Sequence, residues 1–184
     1  REVPLAADTY ALDIEAMLRA VDEHTRLMWV CSPNNPTGNA FPLSELEQLA
    51  TRFDGVLVVD EAYIDFSDKG SMLTVLSHHP NVVVLQTLSK AWGMAGLRLG
   101  LAFASPEVAA LFAHVKYPYN VNGPTQREVM QRLATEAHDE HVAEVIRERQ
   151  ALSSALLSAS CVVRVYPSDA NFLLIKVRDA DALY

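Results

Sequence analysis

The sequence predicts an α/β fold: a mostly parallel sheet flanked by helices, followed by the start of a smaller α+β domain. Three observations carry this. Short runs that are apolar throughout recur at Leu27–Cys31, Val56–Val59 and Val82–Leu85, as expected of strands covered on both faces in a parallel sheet. Helical spacing alternates with them, at Ile14, Met17, Leu18 and Val21 and again at Leu46, Leu49, Ala50 and Phe53. Beyond Tyr117–Pro124, a stretch rich in Pro and Asn, the character changes to two long helical segments and then two short strands.

Each element has a local reason. Asp13 stands where an N-cap for the first helix is needed, and Ser44 with Glu47 has the spacing of a capping box for the second. The first strand ends in Ser32-Pro-Asn-Asn-Pro-Thr-Gly38, a dense turn signal. The second ends abruptly in Asp60-Glu61, and the third runs into Gln86-Thr-Leu-Ser-Lys90. A fourth strand is expected over Leu97–Ala104, then a helix from Ser105-Pro106 to about His114. Helices follow over Thr125–Ala137 and Glu140–Ser158, the latter with Val142, Val145, Ile146, Arg149, Leu152 and Leu156 along one face. Cys161–Tyr166 and Asn171–Val177 read as strands flanking Pro167-Ser-Asp-Ala170. The division expected is a large domain over 1–137 and a linking helix with the start of a small domain over 138–184.

Composition narrows the function classes. The 184 residues are 50% hydrophobic and 21% charged, with a net charge of −8, which excludes disorder and argues against a nucleic-acid partner. No stretch approaches the roughly 18 apolar residues of a membrane span, and no signal-peptide pattern opens the chain. Cys31 and Cys161 make neither a disulfide framework nor a zinc spacing, so a reduced, cytoplasmic protein is expected. The chain lacks an initiating Met and stops at Asp-Ala-Leu-Tyr184, which reads as a helix start. A piece of a longer protein is expected, inactive by itself.

In an open parallel sheet, ligands bind beyond the carboxyl ends of the strands. Three successive strand ends here carry unusual polar residues: Asn34-Asn35, Asp60-Glu61-Ala62-Tyr63 and Thr87-Leu88-Ser89-Lys90. Singly, each has a plain explanation as turn, cap or solvated side chain; together they point to a site. Gly93, Gly96 and Gly100 follow Lys90 with Arg98 between them, which suits close approach of backbone and guanidinium to a phosphate. Neither a dinucleotide fingerprint nor a P-loop occurs. A lysine amine can form a Schiff base with an aldehyde cofactor. Pyridoxal phosphate (PLP) needs in addition a carboxylate at its ring nitrogen, so that the protonated ring acts as an electron sink. A phenol and an amide at the ring oxygen, and a phosphate cup, complete the set. Every requirement has a candidate here.

Ser32–Gly38, Asp60-Glu-Ala-Tyr63 and the run Thr87–Gly100 resemble the central signatures of fold-type I PLP aminotransferases, within which histidinol-phosphate aminotransferases are the nearest match. The likeness extends to Tyr119-Asn-Val-Asn122 and Ser168-Asp-Ala-Asn-Phe172. The resemblance implies that Lys90 carries the Schiff base and moves the substrate's α-proton. It implies that Asp60 pairs with the pyridinium and that Tyr63 and Asn35 contact the ring oxygen. Ser89 and Arg98 would hold the phosphate, with Thr87 beside them, and Tyr119 and Asn120 would line the substrate side. The substrates implied are histidinol phosphate (giving imidazole acetol phosphate) and glutamate/2-oxoglutarate, in a homodimer. Members of this family run to about 350 residues. They carry upstream a glycine-containing phosphate-binding helix start and a ring-stacking aromatic residue, and downstream a substrate-binding arginine, none of which this chain contains. Two rivals stay open: decarboxylation of an amino-acid phosphate at the same cofactor, and a non-catalytic, ligand-sensing module. His138-Asp-Glu-His141 is read as a charged helical stretch and not as a metal site, His78-His79 as solvated, and Trp92 as packing.

Overall fold

The computed structural model describes residues 1–135 and 138–183. Their order is α1 (Ile14–Arg19), β1 (Leu27–Cys31), α2 (Leu43–Arg52), β2 (Val56–Asp60), β3 (Val82–Thr87), β4 (Gly100–Ala104), α3 (Pro106–Val115), α4 (Gly123–Thr135), α5 (His138–Leu156), β5 (Val162–Val165) and β6 (Ile175–Val177). Strands β1 to β4 form one sheet in that spatial order, and β5 and β6 form a separate antiparallel pair. The expected boundary after residue 137, and the end of the helix expected to reach it, lie outside the described residues.

Strand alternation decides which face of the large sheet is buried. Met28 and Val30 stand in register with Leu57 and Val59, and these with Val82 and Val84. All six pack with Leu46, Leu49 and Phe53 from α2 and its end, and with Ile14, Met17 and Leu18 of α1. Each fully buried Leu or Val contributes about 1.5–3 kcal/mol relative to exposure. A one-residue slip would exchange that face for the other, so the register is strongly specified. Asn81 pins the base of the sheet: its amide donates to the carbonyls of Ala50, Phe53 and Gly55 at 2.9–3.2 Å.

Two connections position the site. Strands β1, β2 and β3 are parallel, while β4 returns antiparallel to β3. The reversal continues into the loop, where the Leu88 amide donates to the Leu99 carbonyl at 3.3 Å. Lys90 therefore sits in a folded-back loop between two paired strands. Between β2 and β3 the chain makes three single-turn 3-10 segments, Ile64–Phe66, Met72–Thr74 and Leu76–His78, and no α-helix.

Several local expectations shift. Asp13 does cap α1, its carboxylate accepting from the Ala16 amide at 2.8 Å, and Ser105 caps α3 ahead of Pro106. The Ser44/Glu47 capping box does not form, because Pro42 is the N-cap and Ser44 already lies inside the first turn. Proline's fixed φ preorganises that entry two residues early. The fourth strand starts at Gly100, since Ala95–Leu97 coil into a 3-10 turn and Arg98 adopts a left-handed φ of 54°. His79 is not solvated: its side chain is 13% exposed and lies 3.5 Å from Glu47. Among the described residues no helix is long and apolar enough to cross a membrane.

Candidate active site

The residues at the carboxyl ends of β1, β2 and β3 converge on one phenol. Tyr63 follows β2 through Glu61 and Ala62, and its ring is buried at 8% exposure. Asn35 Nδ2, from the loop after β1, donates to Tyr63 Oη at 3.1 Å. Lys90 Nζ, from the loop after β3, stands 5.2 Å from the Tyr63 ring centroid. The Phe172 ring meets Tyr63 edge-on, with centroids 5.2 Å apart and planes at 86°. Because Asn35 donates to the phenol oxygen, the phenol's own proton stays free for another acceptor.

Asp60 ends β2, in register with Cys31 and Leu85. Its carboxylate accepts from the Ala62 amide at 3.1 Å, which bends the chain toward Tyr63 and leaves lone pairs unused. Burial, and then the neighbouring Asp60 charge, push the Cys31 thiol up, so this cysteine is a protonated neighbour and not a nucleophile. Thr87 directs its hydroxyl to the backbone: it accepts from the Ser89 amide at 3.1 Å and faces the Leu99 carbonyl at 3.4 Å. It thus shapes the turn that presents Ser89 and Lys90. Arg98 is exposed, and one guanidinium nitrogen donates to Ala95 at 2.9 Å, leaving further donors available.

Tyr119 and Asn120 are not brought to this group. Tyr119 is 92% exposed. Asn120 lines an apolar groove of about 800 Å³ between α3 and the sheet, with Trp29, Val58, Leu85 and Phe112.

Three features have roles that the sequence did not assign. Glu61 is 2% exposed and accepts from Ser71 Oγ (2.6 Å), the Met72 amide (2.7 Å) and Gln86 Nε2 (3.0 Å). Burial pushes its carboxyl up against the pull of those bonds. The second is a strap from residues 168–172. The Asp169 amide donates to the Gly38 carbonyl at 2.7 Å, and Asp169 accepts from the Ala40 amide at 2.8 Å. Gly38 has φ +82°, and a Cβ there would stand 2.7 Å from Ser168 Oγ. Glycine is what lets the strap close on the Asn35 loop. Arg149 of α5 donates to the carbonyls of Ala170 (2.7 Å) and Phe66 (3.3 Å), fastening the strap to the segment after Tyr63. The third is His138, stacked on Trp92. The family resemblance of Ser168–Phe172 was the one signal for the strap; nothing in the sequence signalled the stack.

A lysine beside a phenol–amide pair, with a carboxylate one strand end away, has the chemistry to bind a carbonyl compound through its amine. The sequence profile of the family described as "Aminotransferase class I and II" matches residues 1–183, and the chain belongs to that family. Among individual proteins, it is 49% identical over 178 residues to the histidinol-phosphate aminotransferase of Parabacteroides distasonis, covering 96% of this chain and 52% of that protein. The chain spans about half the length of the curated relatives it matches. The structure of histidinol-phosphate aminotransferase from Sinorhizobium meliloti in complex with pyridoxal-5'-phosphate superposes with a TM-score of 0.86 at 27% identity, covering 97% of this chain and 49% of that one. A decarboxylase from Sulfurospirillum multivorans superposes at 0.78 with 30% identity, covering 95% and 47%.

Proposed function

We propose that the complete protein containing this chain is a PLP-dependent aminotransferase that moves an amino group between histidinol phosphate and 2-oxoglutarate. The observation that carries this reading is the convergence of Asn35, Tyr63 and Lys90 from three strand ends, together with the 49% identity noted above. The donor set fits PLP. Lys90 supplies the amine that holds the cofactor's aldehyde carbon and afterwards moves the proton at the substrate's α-carbon. Asp60 keeps the ring nitrogen protonated through a charge-assisted hydrogen bond. Tyr63 donates its free phenol proton to the ring oxygen, steadied by Asn35. Ser89 and Arg98 hold the phosphate, and Thr87 sets the turn that aims Ser89. When bound, PLP supplies the electron sink that stabilises negative charge at the α-carbon.

In this reading residues 1–137 belong to the cofactor-binding domain and 138–184 begin the smaller one. The protein acts in the cytoplasm as a homodimer on small-molecule substrates, without nucleic acid or membrane. The exposed apolar run Leu111, Phe112, Val115, Tyr117 and Tyr119 supports a pairing surface near Tyr119 and Asn120. A second reading, decarboxylation of an amino-acid phosphate, draws support from the likeness to the decarboxylase. One experiment separates them. The full-length protein with PLP, histidinol phosphate and 2-oxoglutarate is expected to form glutamate; release of CO2 from an amino-acid phosphate without glutamate would select the second.

A further inference from the structure

His138 opens α5, and its imidazole stacks on the Trp92 indole with centroids 4.0 Å apart and planes at 22°. Trp92 lies two residues beyond Lys90. It packs on Leu88, Met94 and Val129 on one side and belongs on the other to the cluster of Tyr63, Phe66, Ala91 and Val142. The same imidazole reaches the second catalytic loop. Its Nε2 stands 3.5 Å from the carboxylate of Asp65, two residues beyond Tyr63, and its Nδ1 lies 3.2 Å from Asp139. One ring thus touches both loops that bring Lys90 and Tyr63 together.

The chemistry of that ring goes beyond filling space. The side chain is 15% exposed, and Nε2 is buried without a hydrogen-bond partner among the described residues. A hydrocarbon ring would stack there without burying an unpaired nitrogen. Carboxylates stand beside both ring nitrogens, Asp65 at Nε2 and Asp139 at Nδ1, so either tautomer turns an N–H toward one of them. The charged groups facing the ring are Asp65 from the 3-10 turn after Tyr63 and Asp139 from α5. From the lysine loop it meets Trp92, with the exposed Lys90 two residues away.

We propose that His138 is a positioning residue: its imidazole clamps the Lys90 loop, through Trp92, to the Tyr63 loop, through Asp65. The proposal rests on the reading of Lys90 given above. The clamp holds the amine over Tyr63 before PLP arrives and so strengthens binding of the cofactor.

The test measures PLP affinity of the full-length protein by equilibrium dialysis, with borohydride trapping to locate the label. His138→Ala is expected to weaken PLP binding about tenfold. His138→Phe, which keeps a ring against Trp92 but presents no N–H to Asp65, and Asp65→Ala are each expected to lose about threefold, with thermal unfolding of the PLP-free protein unchanged, and the double variant to lose no more than either alone. That coupling at unchanged stability is what a merely structural ring would not produce. Wild-type affinity in His138→Ala, or losses that add in the double variant, overturns the clamp. A label found on a lysine other than Lys90 overturns the Lys90 reading instead.

Discussion

The two faces of the four-stranded sheet contrast sharply, although the same strands make both. On one face Leu57, Val59, Val82 and Val84 are fully buried under α1 and α2. On the other Leu27 and Trp29 remain 60% and 57% exposed, and α3 stands over an apolar groove. The alternation continues past the end of β2, where it separates two adjacent carboxylates. Glu61 falls on the closed side and is surrounded by three donors. Asp60 falls on the open side and accepts one backbone amide. Consecutive acids in the sequence thus acquire different work: one ties β2 to β3 and the Met72 turn, and the other is left with lone pairs for a ligand.

Substitutions on the two faces test this division. The largest effect is expected from Leu57→Ala, a loss of about 2–5 kcal/mol of unfolding free energy by chemical denaturation. Leu27→Ala, on the open face, should stay within about 0.5 kcal/mol. Equal losses at the two positions would mean that the open face is covered in the full-length protein.

Between the two acids, if the full-length protein has the proposed activity, Asp60→Asn is expected to lower turnover at least about 100-fold, a transition-state loss of about 2.7 kcal/mol, with folding intact. Reduced stability with normal turnover in the folded fraction would move Asp60 to the structural side with Glu61. The strap gives an intermediate case. Gly38→Ala places a Cβ against Ser168 at a positive φ, and a cost of about 1–3 kcal/mol is expected by thermal unfolding. Ser168→Ala should relieve part of the steric share.

The smallest effect concerns pH. Burial raises the Glu61 carboxyl in the folded protein, so the folded state holds that proton more tightly than the unfolded chain. Its contribution is therefore present at pH below the unfolded value and is lost as pH rises through the higher folded value. Glu61→Gln is expected to flatten stability across that acidic window, read from denaturation midpoints at successive pH values. An unchanged slope would show that folding leaves the proton affinity of Glu61 unaltered.

Much of the fold and the central part of the site were determined by the sequence alone. The apolar runs at Leu27–Cys31, Val56–Val59 and Val82–Leu85 became strands because burial on the sheet rewards such runs wherever they are placed. Asn35, Asp60, Tyr63 and Lys90 were legible because each stands at or just past a strand end, and strand ends of a parallel sheet share one edge. Other features depend on partners distant in the chain. The antiparallel return of β4 was decided by how the loop after Leu88 folds back on Leu99, and the role of Glu61 by Ser71, Met72 and Gln86. The strap needed Gly38 to meet Ser168, and the stack needed α5 to bring His138 onto Trp92. Periodicity and turn chemistry act within a few residues, so they carry the first group. The second group is set by contacts between segments up to 130 residues apart, which only the packed tertiary structure supplies.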